Sequence, residues 1–82
     1  MPAHLPVDDA RQLFNENTQR TWSGLLKVVE GHLNKADGIE NEIVLMLIPV
    51  IKQLDKSGHY YPFDLDDFVR VINGAMAQQY AA

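Results

Sequence analysis

Apolar residues in this chain fall into three periodic runs separated by two short connections. In the first run, Ala10, Leu13, Phe14, Thr21, Trp22, Leu25, Leu26, Val28, Val29 and Leu33 recur at i, i+3, i+4 and i+7. That spacing predicts an amphipathic helix over 8–33. Asp8 is placed to cap it, and Asp9 to complement the positive end of its dipole. Ser23-Gly24 is a weak point, but the periodicity runs across it and favours one long helix, bent or straight. Ahead of it, Pro2 and Pro6 make the first seven residues an irregular arm.

Asn34 to Gly38 has the composition of a turn, and Asp37 precedes Glu40 by three positions, close to a capping box. A second helix over 38–56 follows. Its middle, Ile43 to Ile51, is apolar on every side. A buried strand would show the same pattern, but no other segment alternates as its partner would, so the helix is preferred. A helix apolar all round is a central one, covered by other helices or by a second subunit. Pro49 should kink it, because the carbonyl of Leu45 loses its donor. After the connection from Lys56 to Phe63, Leu65, Phe68, Val69, Ile72, Ala75, Met76 and Tyr80 mark a third helix over 64–80, capped by Asp64.

The expected architecture is an all-α, three-helix, bundle-like single domain spanning 1–82. The first helix, at roughly 26 residues and about 40 Å, would overhang neighbours of about 25 to 30 Å. A symmetric dimer would cover that overhang and the apolar second helix. Size points the same way. A chain of 82 residues is near the lower end of what one hydrophobic core stabilises, and without cysteine it has no disulfide to help.

Charge narrows the function. Eleven carboxylates against seven scattered Lys and Arg give −4, poorly suited to a phosphate backbone, so nucleic-acid binding is not expected. No basic-then-apolar leader and no membrane-length apolar run is present, so a soluble, cytoplasmic protein is expected. Ser23 and Ser57 stand outside any nucleophile elbow, and neither matches the Asp-Ser-Leu attachment site of an acyl carrier protein. The acidic pairs Asp8/Asp9 and Asp66/Asp67 sit at helix starts, where capping and the dipole account for them. No catalytic residue and no cofactor are therefore expected. His4, His32 and His59 lack metal-ligand spacing. Asp55 opens a stretch that looks superficially like a calcium loop. Tyr60 stands at the sixth position, where glycine makes the turn, and Pro62 removes a needed amide, so no metal is expected either.

What these readings leave unexplained is the corner 59–68, where Tyr60, Tyr61 and Phe63 bracket Pro62 among Asp55, Asp64, Asp66 and Asp67. With His59 these are the candidate partner-binding residues of a non-enzymatic interaction or regulatory module. Aromatic side chains would anchor a protein partner, and the carboxylates would steer one of basic character. A metal-dependent activity using His59 with Asp55 or Asp64 is the enzymatic alternative. In its Tyr60-Tyr61-Pro62 segment, size and acidity, the chain resembles the colicin DNase immunity proteins. The resemblance implies a protein that neutralises a basic nuclease or another toxin through both tyrosines.

Overall fold

The computed structural model describes residues 4–35 and 38–81. It contains α1 (Val7–Glu16), α2 (Trp22–Gly31), α3 (Asn41–Lys56) and α4 (Leu65–Gln79), and no strand among the described residues. The all-α expectation holds, but the described residues form four helices where three were expected.

The long first helix does not form. It divides at Asn17–Thr21 rather than at Ser23-Gly24, and its halves fold against each other. The polar run Asn17-Thr18-Gln19-Arg20-Thr21 offers the core no apolar side chain between Phe14 and Trp22, so a continuous helix would carry a turn without an apolar face there. Local chemistry then favours the break. Asn17 ends α1, and its side-chain Nδ2 donates to the Thr21 carbonyl at 3.0 Å. Arg20 takes a left-handed φ of 54°. Thr21 restarts the chain as N-cap of α2, its hydroxyl accepting from the Gly24 amide at 3.0 Å. With the helix divided, the 40 Å overhang that suggested a dimer is gone.

Other boundaries move less. α1 starts at Val7 behind Pro6, so Asp8 does not cap it and instead pairs with Arg11 at 3.0 Å. α3 starts at Asn41, and the Asp37 of the expected capping box lies outside the described residues. α3 runs through Pro49 to Ser57, and Gly58 completes the stop with a φ of 73°. Asp64 caps α4 as expected, its Oδ1 accepting from the Asp67 amide at 2.9 Å.

The helices pack in a ring: α1 on α2, α2 on α3, α3 on α4 and α4 on α1. Leu13, Leu25, Val29, Leu47, Ile51, Phe68, Ile72 and Met76 fill its centre. The arm contributes as well. Leu5 is fully buried, and Asn73 of α4 brackets its backbone, accepting from the Leu5 amide at 2.7 Å and donating to its carbonyl at 3.2 Å. That bracket supplies the buried backbone with the partners a strand would have given it. Near the end of the chain, the Tyr80 hydroxyl donates to the Met46 carbonyl and ties α4 to α3. No helix among the described residues is long and apolar enough to cross a membrane.

Candidate functional site

The corner between α3 and α4 is built from its two ends inward. Gly58 turns the chain out of α3, and the His59 amide donates back to the Leu54 carbonyl at 3.1 Å. From α2, the Trp22 indole Nε1 donates to the His59 carbonyl at 2.8 Å. At the far end, Asp64 is fixed by its capping bond. Between these ties, Tyr61 and Pro62 are turned toward the core while Tyr60 and Phe63 are exposed.

Tyr61 turns inward. Its ring lies 4.9 Å from Trp22 edge-on and 6.3 Å from Phe14, with Phe68 at 6.2 Å. These are the separations at which aromatic rings attract beyond simple burial. Arg20 closes the cluster from outside, its guanidinium carbon 4.0 Å from the centre of the Phe14 ring. The Tyr61 hydroxyl and Asn17 Oδ1 are buried without a hydrogen-bond partner among the described residues. The two lie near each other but outside hydrogen-bonding geometry. Burial pushes the Tyr61 hydroxyl above its usual pKa, against the lowering influence of the Asn17 side chain and the Arg20 charge. Pro62 is also buried.

Tyr60 and Phe63 point outward. The Tyr60 ring stacks on His59, centroids 4.6 Å apart. Its hydroxyl accepts from Arg70 at 3.0 Å and donates to Asp67 at 3.3 Å, while Arg70 and Asp67 pair directly. The Arg70 bond, more than the Tyr60 hydroxyl, holds the Asp67 carboxyl below its usual pKa. The His59 Nδ1 donates to the Tyr60 carbonyl at 2.8 Å, which sets its tautomer. Phe63 makes no comparable contact and is 94% exposed. Beside it, Arg20, Tyr61, Pro62 and Phe63 line an open hollow of about 390 Å³.

The expected partner-binding residues therefore separate into three groups. Tyr61 is half-buried and packs against the core, closing the end of the bundle beside Phe14, Trp22 and Phe68. Asp64 and Asp67 are engaged, one as a cap and one with Arg70 and Tyr60. Asp55, Asp66, Tyr60 and Phe63 are exposed, and His59 is half-buried between Trp22 and Tyr60. Arg20 and Arg70 were not singled out in the sequence. Arg70 had a signal, standing three residues after Asp67 on a helix. Arg20 had none, because its place over Phe14 depends on the break between α1 and α2.

A second hollow, of about 510 Å³, opens between α3 and α4, lined by Val50, Leu54 and Ala75 and by Gln53, Gln78 and Gln79, with Ser57 and His59. Ser57 and His59 are the side chains there of a kind used as nucleophile and base, and here the Ser57 hydroxyl donates to the Leu54 carbonyl at 3.1 Å and the His59 Nδ1 to the Tyr60 carbonyl. Among the described residues no three His, Asp or Glu side chains lie close enough to hold a metal ion. His32 is buried at the end of α2, with Nε2 2.6 Å from Glu16 Oε1, and so joins α1 to α2.

The chain matches no family model, no curated protein and no solved structure at a significant level. Of the two tyrosines in the segment that carries the immunity-protein resemblance, Tyr60 is exposed and Tyr61 is half-buried against Trp22.

Proposed function

We propose that this chain is a non-enzymatic protein-interaction module that binds a basic protein partner through the 59–66 corner, with Phe63 as its anchor. One observation carries the reading: an almost fully exposed phenylalanine stands on a backbone that is tied down on both sides. Burying such a ring in a partner contributes about 2–3 kcal/mol. A loop that must be ordered on binding gives back about 0.5–1.5 kcal/mol per immobilised side chain. Here Trp22, the Tyr61 cluster, Pro62 and the Asp64 cap have already ordered the backbone, so little of the gain is lost. Tyr60, held by His59, Arg70 and Asp67, extends the apolar surface. The open carboxylates of Asp55 and Asp66 favour a partner with Lys or Arg around its aromatic-binding pocket.

The test is retention of host proteins on the immobilised chain, compared between wild type and Phe63→Ala. A basic protein held by wild type, lost from Phe63→Ala and released by moderate salt is the expected outcome. The same retention by both chains would remove Phe63 from the function. Because Phe63 contributes almost nothing to the core, Phe63→Ala should keep its stability within about 0.5 kcal/mol of wild type, which separates lost binding from lost fold.

A further inference from the structure

The side of α3 facing away from the bundle carries a pattern that the fold does not use. Its buried residues, Val44, Leu47, Val50, Ile51 and Leu54, form one face. At about 100° per residue, Glu42, Leu45, Ile48, Pro49, Lys52 and Lys56 form the opposite one, with both lysines toward its C-terminal end. Leu45 is 53% exposed, Pro49 is exposed and Ile48 half-exposed, and among the described residues only α2 and α4 pack on α3. An isolated exposed leucine is ordinary. Three neighbouring apolar side chains between an acid at one end and lysines at the other are a more specific arrangement.

The arrangement is self-complementary. Glu42 and Lys52 are equally distant from Leu47, and so are Leu45 and Pro49. When two copies of α3 lie antiparallel about a two-fold axis at Leu47, each Glu42 faces the Lys52 of the other copy. Each Leu45 then faces the other copy's Pro49, and the two Ile48 side chains flank the axis. A parallel pairing would set like charges against each other at both ends. We infer that the outer face of α3 is a self-association surface, on which a second copy of this chain packs antiparallel with Glu42 paired to Lys52 twice over. This surface is separate from the Phe63 anchor, and it gives the apolar second helix the cover its composition called for. A standard specific interface takes about 800 Å² per partner. One face of a helix about 24 Å long provides less, so the dimer should be weak and concentration-dependent.

Sedimentation equilibrium over a hundredfold concentration range tests this, with circular dichroism checking that each variant is folded. Wild type should shift from the 9.3 kDa chain mass toward twice that value as concentration rises. Leu45→Glu should hold it at the monomer mass at every concentration. Glu42→Lys alone and Lys52→Glu alone should each stay monomeric, since each places like charges opposite one another. An equimolar mixture of those two chains should recover the dimer, because all four facing charges are then opposite. Wild type remaining monomeric throughout would overturn the inference. So would a dimer indifferent to Leu45→Glu, or a charge-reversed mixture no more associated than its components.

Discussion

At the scale of single residues, the aromatic cluster concentrates the strongest constraints. Tyr61 gives the core a large ring but encloses its hydroxyl where no acceptor among the described residues meets it, a cost of about 1–3 kcal/mol for a buried polar group left unpaired. Tyr61→Phe keeps the ring and removes that cost, so stability at pH 7 should hold or rise by about 1 kcal/mol. The effect should also depend on pH. Burial raises the hydroxyl's pKa in the folded state, so the fold favours the protonated form. That contribution is complete below the unfolded value of about 10 and is lost as pH rises through the folded one. Urea midpoints at pH 7 and at about pH 10.5 should therefore show Tyr61→Phe gaining on wild type at the higher pH, and parallel losses would contradict this. Tyr61→Ala is a different case. It empties the centre of the cluster and should cost about 3–5 kcal/mol, so it reports on the fold and not on binding. Gly24 is constrained by space. A Cβ there would come within 2.5 Å of Asn17 Oδ1 and 2.8 Å of Gln19 Oε1. Despite alanine's better helix propensity, Gly24→Ala should lose about 1–3 kcal/mol in thermal or chemical unfolding.

Among the elements, what could be read from sequence depended on whether local signals agreed with the pattern of burial. α3 and α4 were legible because their apolar spacing, the stop at Ser57-Gly58 and the Asp64 cap all indicate the same boundaries. The division between α1 and α2 was not, because Leu13, Phe14, Trp22 and Leu25 remain in phase across it by coincidence of loop length. The decisive signals were present as the polar run 17–21 and the Thr21 cap, but the periodicity concealed them. The N-terminal arm shows the reverse limit. Nothing near Leu5 in sequence indicates that it is among the most buried residues, since its partner is Asn73, 68 positions away. Asn73→Ala leaves the Leu5 amide and carbonyl without their bracket and should destabilise the chain by about 1–3 kcal/mol. Backbone hydrogen exchange should be faster at Leu5 well before the core of α3 responds. Unchanged protection at Leu5 would show that burial of its side chain alone holds the arm.

For the whole molecule, a ring of four short helices explains how 82 residues without a disulfide enclose one core: each helix buries its face against two others, and α3 keeps only its outer stripe open. The location of the candidate site was legible in the sequence as a corner with more aromatic residues than a turn requires. Which aromatic faces outward was not, because Tyr60, Tyr61 and Phe63 are equivalent until α1 and α2 supply Phe14 and Trp22 as the cage for one of them. The same cage ties the corner down, and a fixed backbone is what the proposed anchor role of Phe63 requires. The most direct test is therefore the retention of host proteins by immobilised wild-type chain beside Phe63→Ala, with both shown to unfold at the same urea concentration. The account predicts a basic protein present on wild type and absent from Phe63→Ala, and identical retention by the two would contradict it.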